Sequence, residues 1–384
     1  MVFKIIAKLY GIVMDCKHFG VCGACRNFDS GYEGQLQTKE TKITRMFAPF
    51  YEDSIELFRS EDAHYRARSE FKIWHDGDVM HYAMNTITRD GVVFIQECPQ
   101  VATTISDMMP KLLEAIEAKD MKFKLFGVDF LSARSGEMVV SLLYHRKLDE
   151  AWLEKAKVLS CELGIHIIGR ARKQKLITSQ DYVTETLTFS GASYHFRHIE
   201  NSFTQPNPKV NEKMVTWAMK QFEESSGDLL ELYCGAGNFT IPFAKQFDKV
   251  LATEISKSSI NAAKANMLLN DVTNIEFVRM SAEEFVQALD GVREFRRMKE
   301  LDLQSYALEN IFVDPPRSGM DENSCRFSAR HNSIVYISCN PETLVRDLEI
   351  LTQTHTIASM AIFDQFPYTD HVEMGVHLVK KEAK

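Results

Sequence analysis

Five short apolar segments in the second half of the chain constrain the fold more than any other feature. Helical patterns separate them, and they lie at residues 228–233, 249–253, 275–280, 310–314 and 333–338. Strands that alternate with helices are typical of an open, mostly parallel sheet with helices on both faces. The sequence therefore predicts an α/β fold, in which residues 201–384 form a doubly wound domain.

The first half of the chain follows a different pattern. Residues 69–75 and 137–145 alternate between apolar and polar side chains as strands do, and helical stretches lie around 104–118 and 148–163. We predict an α+β domain over residues 31–200, preceded by a cysteine-rich segment over residues 1–30. Two prolines at 206 and 208 mark the junction with the second domain.

The composition is that of an ordinary globular protein. The 384 residues are 45% hydrophobic and 26% charged, with a net charge of −8. No apolar run of about 18 residues is present, which argues against a membrane protein, and the N-terminus lacks a small-residue cleavage site. We expect a cytoplasmic protein with no obligate protein partner. The net charge excludes a uniformly basic nucleic-acid binder but allows local basic patches.

A glycine turn follows the first of the five segments. Tyr233 ends this segment, and Gly235 and Gly237 then allow a ligand to approach the backbone at the edge of the sheet. The next segment leads to Glu254, whose carboxylate can accept hydrogen bonds from a ribose diol. The loop is neither a P-loop nor a full nicotinamide motif, so we predict S-adenosylmethionine as the ligand. Taken alone, the same glycines also suit a tight turn without a ligand.

Cys339 lies where the last segment turns toward a helix. The C-terminal end of a buried strand in such a sheet faces the ligand, so this thiol suits a nucleophile; a buried structural cysteine is the alternative. The fourth segment leads into a rigid Asp-Pro-Pro-Arg turn at 314–317, at the same edge. In several nucleic-acid base methyltransferases a similar turn holds the target base. Those that methylate an amine generally have an aromatic residue where this chain has Arg317.

A cysteine in this position suits methylation of a pyrimidine carbon. C5 of uracil becomes nucleophilic only after a group adds to C6, and a thiolate can add there. We therefore expect the pocket to lower the pKa of the Cys339 thiol. The C5 proton must later leave, which requires a general base. His371 and Glu373 are the two candidates, and either can instead be a surface residue.

Several motifs together resemble those of the RNA 5-methyluridine methyltransferase family. The resemblance covers the chain from about residue 32 and is strongest over 196–384. The motifs are Phe-Thr-Gln-Pro-Asn at 203–207, Glu-Leu-Tyr-Cys-Gly-Ala-Gly-Asn-Phe at 231–239, Asp-Pro-Pro-Arg-Ser-Gly at 314–319, Ile-Ser-Cys-Asn-Pro-Glu-Thr at 337–343 and Gln-Phe-Pro-Tyr-Thr-Asp-His-Val-Glu at 365–373.

The resemblance implies a Rossmann-like class I S-adenosylmethionine methyltransferase domain beside an RNA-binding domain. It implies that Cys339 is the nucleophile, that Glu373 rather than His371 accepts the proton, and that Arg317 lies near the uracil. The residues implied to contact S-adenosylmethionine are Gln205, Tyr233, Asn238, Glu254 and Asp314.

Four cysteines form a separate pattern. Cys16, Cys22 and Cys25 have a C-x5-C-x2-C spacing, and Cys98 precedes a proline. Soft ligands in a cytosolic protein indicate an iron–sulfur cluster or zinc. The spacing differs from that of radical S-adenosylmethionine enzymes. It resembles the pattern of ribosomal-RNA members of the family, which implies a structural [4Fe–4S] cluster; zinc and free thiols are the alternatives.

The resemblance leaves two RNA substrates open. The Phe-Pro-Tyr-Thr sequence at 366–369 resembles the members that act on tRNA, whereas ribosomal-RNA members tend to have His in place of Tyr368. We therefore expect the T loop of tRNA to be the substrate, with ribosomal RNA as the alternative. A methyltransferase acting on protein or on an exocyclic amine, and an RNA-folding chaperone that opens the T loop, are hypotheses of other classes.

Basic residues interleaved with aromatic ones are candidates for RNA contact, because they can bind phosphates and stack on bases. They are Arg66, Arg68 and Lys72 with Tyr65, Phe71 and Trp74, followed by basic runs at 170–175 and 293–299. Each run on its own also suits a solvated surface. Because the target uracil has to enter a pocket, we expect it to leave its stack.

Overall fold

The computed structural model describes residues 14–299 and 301–382. Its elements form two large sheets joined by a β-hairpin. The first elements of the described part are helix α1 (Gly31–Phe47) and strand β1 (Glu56–Phe58), after which the chain enters the first sheet.

The first sheet has seven strands in the order β4-β3-β2-β5-β6-β7-β8. All neighbours are antiparallel except β6 and β7, which are parallel. Its elements are β2 (Arg68–Asp76), β3 (Val79–Asn85), β4 (Val92–Ile95), α2 (Thr103–Ala118), β5 (Leu125–Ser132), β6 (Met138–Tyr144), α3 (Glu150–Leu163), β7 (His166–Ala171) and β8 (Gln174–Ile177). This confirms the predicted α+β architecture of the first half.

The core of the first sheet lies on the face that α2 and α3 cover. On β2, Phe71 and Ile73 point into this core, whereas Lys72 and Trp74 alternate onto the opposite face. This alternation follows from the period of two in a strand. The helices contribute side chains such as Leu112 of α2, which is fully buried.

A two-stranded hairpin connects the two sheets. It consists of β9 (Tyr182–Phe189) and β10 (Ala192–Ile199). Arg134, beside the first sheet, forms ion pairs with Glu185 of the hairpin and with Glu212, which follows the hairpin in the chain. The hairpin therefore forms part of the junction between the two halves.

The second sheet has eight strands in the order β1-β16-β17-β15-β14-β11-β12-β13. The strands from this half are β11 (Asp228–Leu232), β12 (Val250–Thr253), β13 (Ile275–Val278), β14 (Leu308–Val313), β15 (Ser333–Ser338), β16 (His355–Phe363) and β17 (Glu373–Lys380). Neighbours are parallel except that β17 runs antiparallel to both β15 and β16. The predicted doubly wound, mostly parallel sheet is therefore present.

Within the described residues of the second half, six α-helices accompany this sheet. They are α4 (Pro208–Gln221), α5 (Thr240–Phe243), α6 (Lys257–Leu269), α7 (Ala282–Leu289), α8 (Glu322–Ser328) and α9 (Pro341–Leu351). Asn207 and Asn340 cap α4 and α9, and a proline follows each of them at the first helical position. This combination favours a helix start, because the side chain accepts a free amide hydrogen and proline has none to satisfy. As a result, α9 begins directly after Cys339.

Helix α1 and strand β1 pack against the second sheet although they precede the first sheet in the chain. β1 pairs in parallel with β16, with Phe58 opposite Phe363. Ile43 and Phe47 of α1 are buried in a core that also contains Leu348 of α9. The sequence pattern groups this segment with residues 31–200, since a strand of three residues carries little signal. Among the described residues, no helix combines the length and apolar character needed to cross a membrane.

Candidate active site

Three strands of the second sheet bring the candidate catalytic groups to one edge. β14 and β15 are parallel, and Asp314 and Cys339 follow them directly. β17 runs antiparallel to β15, with Met374 opposite Ser338, so its first residue, Glu373, lies at the same edge. The reversed direction of β17 thus joins groups that are distant in the sequence.

A cavity of about 1460 Å³ opens at this edge. Cys339 is partly exposed, whereas the side chain of Glu373 is buried. The wall of the cavity includes all the residues predicted for catalysis, cofactor binding and uracil contact: Cys339, Glu373, Gln205, Tyr233, Asn238, Glu254, Asp314 and Arg317. A single space therefore adjoins the thiol, the candidate base and the glycine loop.

The environment of Cys339 disfavours the thiolate. Burial, followed by the nearby carboxyl groups of Glu373 and Asp314, raises the pKa of the thiol to about 12, and Arg317 opposes this shift. The expectation that the protein's own residues lower this pKa is therefore wrong. The reason is that two acidic groups and one guanidinium surround a sulfur that is already half-buried.

The two carboxyl groups are themselves hard to ionise. Burial raises the pKa of Glu373 well above its usual range, with Asp314 adding to the shift and Arg317 opposing it. Burial also raises the pKa of Asp314 to about 7. A carboxylate with a raised pKa is a stronger base, so Glu373 is suited to accept a proton within this cavity.

His371 also lines the cavity but remains exposed. Its Nδ1 lies 3.4 Å from Nη2 of Arg317, and its ring meets the edge of the Phe366 ring. Burial, with the charge of Arg317, lowers the pKa of His371. The structure therefore brings both candidate bases to the site, in clearly different environments.

The glycine loop is open toward the cavity. Gly235 and Gly237 have φ angles of +55° and +86°, and Tyr233 before them also has a positive φ. A Cβ placed on Gly235 would meet no atom within 4 Å, so a ligand can approach the backbone there. The amides of Gly235 and Ser256 donate to the two oxygens of Glu254 over 3.1 and 2.7 Å. These bonds fix the Glu254 carboxylate next to the loop.

Two predicted cofactor residues are held by neighbouring amide side chains. Asn238 and Asn211 exchange two hydrogen bonds of 2.8 and 2.9 Å. Gln365 Nε2 donates to Gln205 Oε1 over 2.7 Å, which leaves the Gln205 NH₂ group for an acceptor in the cavity. Asn211 and Gln365 are buried. Sequence reasoning did not assign them a role, because a buried amide has no distinguishing local pattern.

The residues after Cys339 hold the Asp-Pro-Pro-Arg turn in place. Asn340 Nδ2 and Thr343 Oγ1 both donate to the carbonyl oxygen of Arg317, over 2.9 and 3.4 Å. Arg346 Nη2 donates to the carbonyl oxygen of Ser318 over 3.0 Å. The turn that carries Arg317 is therefore attached to the start of α9. The sequence contained a signal for this, since Asn340 and Thr343 belong to the motif around Cys339.

The cysteine pattern lies on another part of the same cavity wall. Cys16, Cys22, Cys25 and Cys98 all line it. Burial, followed by the charges of the other three thiols, raises the pKa of Cys25, which indicates that the four sulfur atoms are close to one another. Gln100 Nε2 donates to the sulfur of Cys25 over 2.9 Å.

Within residues 14–299 and 301–382, no three His, Cys, Asp or Glu side chains are placed to hold a metal ion. Both zinc and a [4Fe–4S] cluster are held by several thiolates or similar ligands. The predicted metal site at these cysteines is therefore not confirmed in either form.

The segment that contains Cys16, Cys22 and Cys25 is hydrogen-bonded to the loop that precedes Glu373. The amides of Arg26 and Asn27 donate to the carbonyl oxygen of Tyr368 over 2.8 and 3.1 Å. Asn27 Nδ2 also donates to Asp370 Oδ1 over 2.7 Å. The segment thus contacts the catalytic half directly.

Two of the aromatic residues predicted to contact RNA are buried. Tyr65 donates a hydrogen bond to the carbonyl oxygen of Pro367, and Phe71 belongs to the core of the first sheet. Neither side chain can stack on a base, so that part of the prediction is wrong. Trp74 is 47% exposed and stays a candidate. Arg170 is bound to the Glu200 carboxylate and is not an unpaired surface cation.

Comparisons with known proteins support the family resemblance that the motifs indicate. A family model described as tRNA (Uracil-5-)-methyltransferase matches residues 31–381. A protein from Sulfurimonas denitrificans named tRNA/tmRNA (uracil-C(5))-methyltransferase is 62% identical, over 96% of this chain and 100% of its own length. A protein of the same name from Vibrio vulnificus is 50% identical, over 91% of this chain and 97% of its own length.

A solved structure shows the same fold. It is the tRNA (uracil-54, C5)-methyltransferase of Pyrococcus abyssi in complex with S-adenosyl-L-homocysteine, with a TM-score of 0.68 and 23% identity, covering 91% of this chain and 83% of that chain. This similarity confirms the predicted class I methyltransferase fold. Because the family model and the relatives span nearly the whole chain, the family resemblance is confirmed as well. The chain belongs to the tRNA (uracil-5-)-methyltransferase family.

Proposed function

We propose that the protein transfers a methyl group from S-adenosylmethionine to C5 of a uridine in tRNA. The observation that carries this proposal is the presence of Cys339, Glu373 and Arg317 in one cavity with the glycine loop. Methylation of an amine requires no thiol, whereas methylation of C5 requires both a nucleophile and a base. Membership of the family and the names of its relatives support tRNA as the substrate.

Cys339, as the thiolate, begins the reaction by adding its sulfur to C6 of the uracil. The electrons of the C5–C6 double bond then form an enolate, with negative charge shared between C5 and O4. C5 would take the methyl group of S-adenosylmethionine as the sulfonium–methyl bond breaks, with S-adenosylhomocysteine as the leaving group. Arg317 is placed to pair with the charge on O4, and its guanidinium is also the neighbouring group that favours the Cys339 thiolate.

Glu373 completes the reaction by taking the proton from C5. The electrons of the C5–H bond restore the C5–C6 double bond, the C6–S bond breaks, and Cys339 leaves as a thiolate. We favour Glu373 over His371 because Glu373 is buried and has a raised pKa, which makes it the stronger base. His371 is exposed and its pKa is lowered.

The cofactor site follows from the loop geometry. Gly235 leaves space for the ligand, Glu254 offers its carboxylate to a ribose diol, and Gln205 presents an NH₂ group. Asn238, Tyr233 and Asp314 complete the set of proposed contacts along the cavity wall. The positive sulfonium of the bound donor would favour the thiolate of Cys339, which offsets part of the effect of burial.

The proposed target is the T-loop uridine of tRNA, position 54. The Phe-Pro-Tyr-Thr sequence supports this choice over ribosomal RNA. The related Pyrococcus abyssi protein is described as acting on uracil 54. Because the thiol lies within a cavity, the uracil has to leave its stack to reach it, and the T loop has to open.

Mass spectrometry of the methylated RNA tests this proposal. The purified protein would be incubated with S-adenosylmethionine and either unmodified tRNA, a T-arm hairpin or ribosomal RNA. We expect 5-methyluridine at position 54 of the tRNA and in the loop of the hairpin. If 5-methyluridine formed only in ribosomal RNA, ribosomal RNA would be the substrate instead of tRNA. Methylation of an amine or of a protein would show that the enzyme does not methylate uracil C5.

We further propose that Cys16, Cys22, Cys25 and Cys98 hold a [4Fe–4S] cluster of structural function. Their shared position on the cavity wall and their effect on the pKa of Cys25 support a common ligand. No step of the methyl transfer involves it. Anaerobic purification should yield protein with about four irons and four sulfides per chain. The Cys25→Ser variant should lack this iron and sulfide. The control variant Cys161→Ser, which removes an exposed cysteine, should retain both. One equivalent of zinc without iron would refute the cluster.

A further inference from the structure

A fully enclosed ion pair lies beneath the loop that leads to Glu373. Lys39 Nζ is 2.6 Å from Asp364 Oδ1, and the two side chains are 4% and 0% exposed. The other ion pairs between described residues are more open; in the Arg170–Glu200 pair, for example, the arginine side chain is 29% exposed. Lysine is almost never buried to this extent unless it is paired.

The pair joins helix α1 to the connection between β16 and β17. Lys39 Nζ also donates to the carbonyl oxygen of Phe366 over 2.9 Å, and Gln35 Nε2 donates to Asp364 Oδ2 over 3.1 Å. Gln35 and Lys39 are one helical turn apart, so they present their polar groups from one face of α1. Both oxygens of Asp364 are therefore bonded to the same helix.

The free energy lost on burying these charges indicates that the ion pair fixes the position of the loop and adds little to stability. Burial of an ion pair usually contributes little net stability, because the loss of hydration offsets the attraction between the charges. Helix α1 already has apolar anchors, since Leu36, Ile43 and Phe47 are buried. An apolar pair in place of Lys39 and Asp364 would hold the helix as well but would not fix the loop backbone.

Two groups of the site depend on this loop. Gln365 follows Asp364 directly and orients the amide of Gln205. Glu373 begins β17 at the other end of the connection. A shift of the loop would therefore displace the proposed base and the proposed cofactor contact together.

We propose that Lys39 and Asp364 are positioning residues for the removal of the C5 proton by Glu373. This inference rests on the proposed function. In the step concerned, the proton moves from C5 to the Glu373 carboxylate, the C5–C6 double bond forms, and the C6–S bond to Cys339 breaks. Misplacement of the base would slow this step more than the preceding additions to C6 and C5, because Gln205 is only one of several proposed cofactor contacts and the others lie outside this loop.

Single-turnover kinetics with a T-arm hairpin test the proposal. In Lys39→Met, the methylated protein–RNA adduct should accumulate, and its breakdown should be roughly 10- to 100-fold slower than in the wild type, as expected for a misplaced catalytic group. Glu373→Gln is the positive control for accumulation. Lys119→Met is the matched control, because it removes a lysine from an ion pair with Glu162 at the surface, far from the site in the fold.

A charge-free double variant, Lys39→Met with Asp364→Leu, separates positioning from stability. Removal of both charges should restore the thermal stability lost in the single variant. If the pair positions the loop, adduct breakdown stays slow in the double variant. The inference is refuted if adduct breakdown in the double variant recovers together with thermal stability. It is also refuted if the adduct accumulates in Glu373→Gln but in neither the single nor the double variant. Absence of 5-methyluridine in the wild type would instead refute the proposed function.

Discussion

At the scale of single residues, the site combines a thiol with carboxyl groups whose pKa values are all raised by burial. The pKa of Cys339 is raised to about 12 and that of Asp314 to about 7. The protein alone therefore disfavours the thiolate of Cys339. The charge of Arg317 opposes this shift, and the sulfonium of the proposed methyl donor would oppose it further.

Glu231 offers a pH-dependent test of the buried charges in this region. It is 1% exposed on β11, and burial raises its pKa from 4.5 to about 8. Between these two values the folded protein keeps a proton that the unfolded chain releases, so the free energy of unfolding falls as pH rises. The Glu231→Gln variant should not show this decrease in the free energy of unfolding. In the wild type the decrease amounts to about 1.4 kcal/mol for each unit of difference between the folded and unfolded pKa.

Urea unfolding at pH 5 and pH 9 measures the effect. Relative to the wild type, Glu231→Gln should gain stability at the higher pH by a few kcal/mol. An equal change in both proteins between the two pH values would show that Glu231 keeps an ordinary pKa.

The sequence predicts which residues belong to the candidate site better than it predicts the burial and charge around each of them. Cys339, Glu373 and Arg317 stand out because each occupies a recognisable motif, and the structure brings them together. The predicted direction of the Cys339 pKa shift was wrong, since the shift comes from burial and, after it, from carboxyl groups that other strands contribute. The assignment of Tyr65 and Phe71 to the RNA surface failed for the same reason, because burial is a property of the assembled fold.

At the scale of elements, loops at one sheet edge are fixed by side chains that come from neighbouring helices. Asn340 caps α9 and at the same time binds the carbonyl oxygen of Arg317. Asn211 of α4 holds Asn238. Side chains at these helices therefore hold loops that line the cavity.

The glycine loop yields a prediction with a matched control. Gly235→Ala would place a methyl group where the proposed ligand lies, and it would also strain a backbone with a φ of +55°. We expect S-adenosylhomocysteine to bind at least roughly tenfold more weakly, since about 1.4 kcal/mol or more of contact is lost. Titration calorimetry measures this affinity.

Gly191→Ala is the control for strain alone. Gly191 lies in the turn between β9 and β10 with a φ of +81°, and its Cβ would also meet no atom within 4 Å. Both variants should lose a similar amount of stability, about 1 kcal/mol. Equal affinity of the two variants for S-adenosylhomocysteine would contradict the proposed position of the ligand.

The five strands of the doubly wound sheet could be predicted because each is a short apolar run between helical patterns. The last two strands and β1 were not predicted individually. The reversed β17 depends on pairing with β15 and β16, and β1 has only three residues. These missed elements carry Glu373 and the support of its loop, so the geometry of the base was beyond sequence reasoning.

At the scale of the whole molecule, the first sheet carries an exposed aromatic side chain that is a candidate for RNA contact. Trp74 lies on β2 opposite His81 of β3 and is 47% exposed. An exposed tryptophan near basic residues is suited to stack on an unpaired base.

Trp74→Ala is therefore expected to weaken tRNA binding. Stacking of one base contributes about 1 to 3 kcal/mol, so the Kd for tRNA should rise roughly fivefold or more. The affinity for S-adenosylhomocysteine should not change. Val158→Ala is the control, because it removes a side chain of similar fractional exposure, 50%, from α3. Fluorescence anisotropy with labelled tRNA measures the affinities, and an unchanged Kd would exclude Trp74 from the RNA surface.

Mass spectrometry of the protein–RNA adduct tests the proposed covalent bond between Cys339 and the target uracil. RNA that carries 5-fluorouridine at the target position retains fluorine where the proton would leave, so the adduct cannot break down. Incubation with S-adenosylmethionine should give one RNA fragment per chain, attached to the peptide that contains Cys339, and none in Cys339→Ala. A normal adduct in Cys339→Ala, or attachment to another residue, would contradict the account.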